Sequence, residues 1–204
     1  TFKEIFEEIF KLSGESLCDH LKIEKEPIIA RHFWPDGARL DLYDNFEQNC
    51  DAIKNFAGIK VMNEFINFNN LTEDLFNTFN DPIIHSSKPN LFNTSIKSYK
   101  KIFKFYNIIK PKNNLWSFLD NQFSEPKLKQ LFSRYSTYVG GSPFNSPALL
   151  SLIWEAEKKG VWRISGGLHL LAKKLMLIAE KNGANFYFNT EVKKLNFSKN
   201  GNYN

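Results

Sequence analysis

Few residues that carry chemistry stand together in this chain. His20, His32, His85 and His169 are scattered, and no Ser/His/Asp arrangement follows from their spacing. Four histidines and two cysteines give no spacing that resembles a zinc site, so structural metal is set aside. Cys18 and Cys50 argue against a disulfide framework and fit a reducing compartment. His169 sits in an amphipathic stretch, where a half-buried histidine with one hydrogen bond is the plain reading. Asp36 and Asp41 lie on a hairpin pattern, in a turn-forming and a solvated role. No GxGxxG and no P-loop occurs, so no phosphate cradle is assigned.

Two glycine pairs are more informative. Gly140-Gly141 lies between Tyr138 and Pro143 in "YVGGSPFNSP", and Gly166-Gly167 lies between a strand-like run and a helix-like run. Without Cβ atoms, each pair permits either a tight turn or the close approach of something to the main chain. At the second pair, the backbone N–H groups of a helix start are also free.

The elements that would position these residues can be read from periodicity. Phe2, Ile5, Phe6, Ile9, Phe10 and Leu12 predict an amphipathic helix ending at Ser13-Gly14. Pro27 to Tyr43 predicts a β-hairpin turning at Pro35-Asp36-Gly37. From Asp44 to about Lys110 the pattern is helical, broken at Asn80–Asn90. Within it Ile96, Tyr99, Ile102, Phe103, Tyr106 and Ile109 share a face. Lys97, Lys100, Lys101 and Lys104 lie largely opposite, and Pro111 stops the helix. That composition suits an interfacial membrane helix, and equally a surface helix with its apolar side on the core. A helix follows over Pro126–Tyr138. Another, "ALLSLIWEAEKK", has Ser146 placed as N-cap before Pro147 and Gly160 as its stop. "VWRIS" reads as a strand, Gly166-Gly167 opens a helix closed by Gly183, and "NFYFNTEVKKLNF" alternates as a strand. "KNGNYN" begins a hairpin turn.

The composition is that of a folded soluble protein, with 42% hydrophobic and 24% charged residues. No apolar run is long enough to cross a bilayer. A net charge of +5 comes mostly from scattered lysines, a poor footprint for nucleic acid. An anionic membrane surface is the better partner. There is no initiator Met and no signal-peptide core, and the chain stops on half a hairpin, so an internal piece of a longer protein is expected. The fold class from these residues is α+β, mostly helical, with a β-hairpin and C-terminal strands.

The stretch Leu115–Leu175, with "YVGGSPF" followed one helix later by "GVWRISGG", resembles the central part of bacterial carotenoid desaturases, the phytoene-desaturase-like FAD flavoproteins. Within them it is similar to the hydroxyneurosporene/methoxyneurosporene (1-hydroxycarotenoid 3,4-) subgroup. "RHFWPDGARLDLY" and Asn49–Gly58 also fit that subgroup, and the likeness is loosest between about Leu71 and Lys112. Related phytoene desaturases often carry a proline two residues before the second glycine pair. Ile164 stands there, which favours the hydroxycarotenoid subgroup.

The resemblance implies a fragment of a two-domain amine-oxidase/phytoene-desaturase-like fold. Residues 1–20 would be a helix preceding the substrate domain, and 21–43 substrate-domain strands. Residues 44–159 would be a helical, membrane-facing segment, and 160–204 a return to the substrate and FAD domain. It implies FAD as cofactor, a carotenoid substrate and peripheral association with the inner membrane from the cytoplasm. It also implies loss of a proton plus hydride transfer to flavin, chemistry that belongs to the cofactor. Val192 occupies the place where the superfamily pairs a valine backbone with adenine; it is also an ordinary strand residue. Tyr138, Gly140, Gly141, Phe144 and Trp162 would line the substrate. A hydrocarbon needs aromatic walls, and 20 Phe, seven Tyr and four Trp suit that, as they suit any helical core. Neither a catalytic residue nor the oligomeric state follows.

Overall fold

A computed structural model describes residues 3–80, 105–109 and 113–194. The chain forms two compact units, one of Glu24–Arg163 with the first three residues, the other of Glu4–Ile23 with Ile164–Asn204.

In the larger unit, β2 (Ile28–Phe33) and β3 (Arg39–Tyr43) form the expected antiparallel hairpin, with Arg31 opposite Asp41, His32 opposite Leu40 and Phe33 opposite Arg39. The turn closes through Trp34 N–H to the Ala38 carbonyl at 3.0 Å, and Asp36 accepts from Ala38 N–H at 3.1 Å. Alternation decides the faces: Leu40 and Leu42 are buried while Phe33 is exposed. Helix α3 (Phe46–Ala57) starts where Asn45 accepts from Gln48 N–H at 3.0 Å. The buried Asn49 amide then exchanges two 2.8 Å bonds with the Tyr43 backbone, welding the end of β3 to α3. The break in the long helical stretch comes first at Gly58 (φ 89°), before α4 (Ile59–Phe79). The lysine-faced segment Ile96–Lys104, and with it the reading of a membrane helix over Ile96–Ile109, falls outside the described residues, as do His85 and the Lys199–Asn204 turn. Only its end, α5 (Tyr106–Ile109), is described.

Helix α6 (Leu115–Gln122) is capped by Asn114, and α7 (Pro126–Ser133) by Glu125 with Pro126 at its first position. Against them packs an aromatic core. Phe68 and Phe132 lie 4.7 Å apart, Phe123 and Phe132 stack at 5.2 Å, and Trp154 meets Phe65 edge-on at 5.5 Å. Offset and edge contacts of this kind add to the burial of the rings themselves. The Trp154 indole N–H is satisfied by buried Asn69 at 3.1 Å. Short β1 (Ile23–Lys25) had no sequence signal. It pairs with β4 (Trp162–Ile164), and in this unit Arg163 reaches Glu24 at 2.8 Å and Glu26.

The smaller unit holds α1 (Lys3–Leu12, of which Glu4 onward belongs here), α2 (Leu17–His20) and α9 (Leu168–Lys181) around Phe10, Leu17, Leu21, Leu171 and Ile178. Glu15 joins His20 at 3.1 Å and also Lys181. The predicted strand Asn185–Phe197 is not formed over its described residues: the backbone from Ala184 to Lys194 is irregular and Phe186, Tyr187, Phe188 and Val192 are exposed. Alternation alone does not make a strand. Its N–H and C=O groups need a paired neighbour, and among the described residues every named strand already pairs with another.

Candidate functional site

The Gly140-Gly141 turn is assembled by its own chain. The 3-10 segment Arg134–Val139 ends as Gly140 enters the left-handed region (φ 64°), and Gly140 and Gly141 donate to the carbonyls of Thr137 and Ser136, each at 3.0 Å. Ser146 N–H then returns to the Ser142 carbonyl at 2.9 Å. The loop next covers the start of α6: Leu115 N–H donates to Ser146 C=O at 2.8 Å and Trp116 N–H to Pro143 C=O at 3.0 Å. The Asn114 side chain takes Ser117 N–H at 2.8 Å. Three of the orphan donors that open any helix are thereby satisfied.

Ser146 is therefore not the N-cap expected from its position. Its carbonyl serves α6, Pro147 takes the cap position, and the next turn begins as a 3-10 segment, Ala148–Leu152, before α8 (Ile153–Lys158). A Cβ added at Gly141 would lie 2.5 Å from Ser146 Oγ. What comes close to the main chain at Gly141 is thus the chain's own serine. At Gly140 a Cβ would meet nothing within 4 Å, and only its positive φ calls for glycine.

Beneath the turn lies a polar cluster that sequence reasoning missed. Glu157, on α8, is 7% exposed and paired with Arg134, Nη1 to Oε1 at 3.0 Å and Nη2 to Oε2. Tyr135 O–H donates to Glu157 Oε2 at 3.3 Å, and Tyr138 O–H to Oε1 at 2.7 Å. Tyr135 is fully buried and its hydroxyl is pushed far above the usual phenol range, chiefly by burial and then by Glu157. Burial, then the Glu157 hydrogen bond, pushes Tyr138 up to about 12. His32 Nε2 and Arg134 Nε are buried without a hydrogen-bond partner. Burial, then the Arg134 charge, holds His32 down at about 4, neutral at pH 7. The one available signal was Arg134, Tyr135 and Tyr138 at helical spacing; "WEAEKK" gave no hint that its second glutamate turns inward.

The structure brings some of the predicted wall residues together. Tyr138 and Phe144 flank the glycines with 58% and 56% exposure, and Phe144 packs on Trp116 at 5.1 Å. Trp162 does not join them. It sits on β4 with Lys3 Nζ 4.6 Å above its ring and beside Gly160. Asp36 is turn-forming as expected and also pairs with Lys127. Asp41 is ion-paired at the surface and not simply solvated: Arg39 first, and Arg31, hold its carboxyl at about 2. A cleft of about 560 Å³ opens between β3, α3 and the start of α7, lined by Arg39, Asp41, Asn55, Phe56 and Lys127. Its charged walls do not suit a hydrocarbon, and neither Tyr138 nor Phe144 lines it.

Val192 is 72% exposed on irregular backbone, so no strand presents its N–H and C=O as a pair. Gly166 and Gly167 (φ 91° and 86°) open α9.

Comparison with known proteins finds relatives that are named for carotenoids. No protein-family model matches it. It is 37% identical over 195 residues to the hydroxyneurosporene desaturase of Rhodobacter capsulatus, covering 96% of this chain and 39% of that protein. It is 35% identical over 184 residues to the hydroxyneurosporene desaturase of Rubrivivax gelatinosus, covering 90% of this chain and 35% of that protein. The 4,4'-diaponeurosporene oxygenase of Staphylococcus aureus is more distant, 26% identical over 204 residues, with 94% and 38% covered. The chain is similar to the hydroxyneurosporene desaturases over nearly all of its own length. It spans less than two-fifths of theirs.

Proposed function

We propose that this chain is the central portion of an FAD-dependent carotenoid desaturase that introduces a 3,4 double bond into a 1-hydroxy or 1-methoxy carotenoid. The observation that carries this reading is identity of 35–37% to hydroxyneurosporene desaturases across 90–96% of the chain. Such a reaction takes one hydrogen from each of two adjacent carbons and lengthens the conjugated system by one double bond. Flavin would accept the electrons when bound. It would be held by parts of the intact protein beyond the described residues, where the family carries its dinucleotide fingerprint; only Val192 and the Gly166-Gly167 turn are candidates here.

The chain's own part is alignment and exclusion of water, for which apolar and aromatic walls suffice. Tyr138, Gly140, Gly141 and Phe144 are the wall we assign. Trp162, on β4, is assigned as a separate wall residue. A polyene dissolves in lipid, so we assign a membrane surface as second partner, at the cytoplasmic side of the inner membrane. Liposome sedimentation of the intact protein, with and without Lys97, Lys100, Lys101 and Lys104 changed to Glu, tests that assignment; unchanged binding removes it.

The decisive experiment expresses the intact gene in hosts accumulating hydroxylated neurosporene or phytoene and reads the absorption spectrum of the extracted pigments. A red shift only with the hydroxylated substrate is the expected result, and a shift only with phytoene overturns the substrate class. A second reading, oxidation of a carotenoid end without a hydroxyl group, has one observation in its favour, the 26% identity to the diaponeurosporene oxygenases. Oxygen-bearing products from a plain polyene would select it.

A further inference from the structure

We propose that the Tyr138 hydroxyl is a fixed hydrogen-bond acceptor that reads the terminal hydroxyl of the carotenoid, kept in that role by Glu157; this rests on the desaturase reading above. A phenol has one proton to donate and lone pairs with which to accept. Here the proton is committed, since Tyr138 O–H donates to Glu157 Oε1 at 2.7 Å. Glu157 cannot return a proton, because its two oxygens also face both terminal nitrogens of Arg134 and the hydroxyl of Tyr135. The fork of Arg134 fixes the plane of the carboxylate, and with it the direction in which the phenol points. With its proton committed, the Tyr138 oxygen can only accept, from a ligand in competition with the Arg134 guanidinium beside it. Burial and the Glu157 bond push its pKa to about 12, so it stays a neutral phenol.

The rest of the cluster does not offer this chemistry to a ligand. Tyr135 is 0% exposed, and the unpartnered nitrogens of His32 and Arg134 are sealed from solvent. Tyr138 is anchored through its hydroxyl while the residue as a whole is 58% exposed, at the edge of a turn whose other flank is the apolar Phe144–Trp116 pair. An apolar surface ending in one acceptor matches a hydrocarbon ending in one donor. A tertiary alcohol supplies that donor. Its methyl ether does not, and neither does an unsubstituted end. A site that bonds a substrate hydroxyl favours the alcohol over an analogue that cannot donate to it.

The test uses the intact, flavin-loaded protein with a 1-hydroxy carotenoid and its 1-methoxy ether in the same detergent micelles. Wild type should prefer the alcohol by about tenfold in kcat/KM, as one hydrogen bond allows. Tyr138→Phe keeps the ring and removes the acceptor. The ratio of kcat/KM on the alcohol to that on the ether should therefore fall about tenfold, mainly through the KM for the alcohol. Glu157→Gln is the second variant: it replaces the charged acceptor with a weaker neutral one and loosens its hold on the phenol proton, so the ether should gain on the alcohol. Activity of wild type on neither carotenoid overturns the desaturase reading and this inference with it. A wild type that turns over both, with Tyr138→Phe lowering alcohol and ether alike or neither, overturns the role of Tyr138 alone.

Discussion

The two glycine pairs look alike in sequence and are held by different physics. At Gly140-Gly141, one glycine takes the left-handed conformation and the other makes room for Ser146 Oγ. The turn they form is tied to Glu157 through Tyr138, and its loop to α6 through two backbone donors, Leu115 N–H and Trp116 N–H. At Gly166-Gly167 both residues have positive φ, and nothing lies within 4 Å of a Cβ built on Gly167. The first turn is fixed by side chains and contacts around it. The second is fixed by the backbone conformation itself. Glycine in a sequence marks that geometry is special, without telling which of these reasons applies.

That difference is broken most strongly at Glu157. Glu157→Ala leaves Arg134 half-buried without its counterion and frees two tyrosine hydroxyls, so the intact protein should lose about 3 kcal/mol of stability in urea unfolding. A loss below about 1 kcal/mol would mean that the turn stands without its polar anchor. At the second pair the largest effect must come from the backbone. Gly167 has φ 86° and ψ 167°, a region that side-chain-bearing residues hardly enter. Gly167→Ala should therefore cost about 2 kcal/mol although the added methyl touches nothing. An alanine tolerated there at no cost would show that the loop simply relaxes.

The sequence made the hairpin, the N-terminal helix and the Gly167-led helix legible because each rests on local rules: Pro-Asp-Gly at a turn, apolar residues at helical period, glycine before a helix. The misses were all non-local. Asn185–Phe197 alternates, yet its described residues have no partner strand. Ser146 sits where a cap belongs, but its carbonyl is needed by α6, about thirty residues earlier in the chain. Glu157 reads as a solvated charge on a lysine-rich helix and is buried only because Arg134, Tyr135 and Tyr138 converge on it. Of the wall residues proposed from resemblance, Tyr138, Gly140, Gly141 and Phe144 share one loop, as sequence adjacency already required, whereas Trp162 makes its contacts elsewhere.

Gly141 separates crowding from conformation. Its φ is not in the left-handed region, so Gly141→Ala is opposed only by the hydroxyl 2.5 Å from the new methyl. The single substitution should cost about 1 kcal/mol. In a Ser146→Ala background the same change should cost nearly nothing, a coupling that a double-mutant cycle reads directly. No such rescue exists for Gly167, where no neighbour is in the way. Equal costs in both backgrounds would place the strain at Gly141 in the backbone and erase the distinction between the two pairs.

The smallest expected effect is a slope with pH. His32 is held at about 4 against an ordinary 6.5, by burial first and by the Arg134 charge second, with Glu157 and Asp41 pulling the other way. Between those two values the unfolded chain binds a proton that the folded one refuses. Acidification from about pH 6.5 to 4 therefore favours unfolding, and the contribution is flat above and below that window. Asp41 acts in a separate window: its carboxyl sits at about 2 against 3.8, so its contribution is lost only as pH falls below about 3.8. Melting temperatures of the intact protein from pH 7 to 4, for wild type and His32→Asn, isolate the first window. The wild type should lose stability more steeply on acidification than the variant. Parallel curves would mean that His32 is protonated without strain, and that the cluster beneath the first glycine pair is more open to water than its burial indicates.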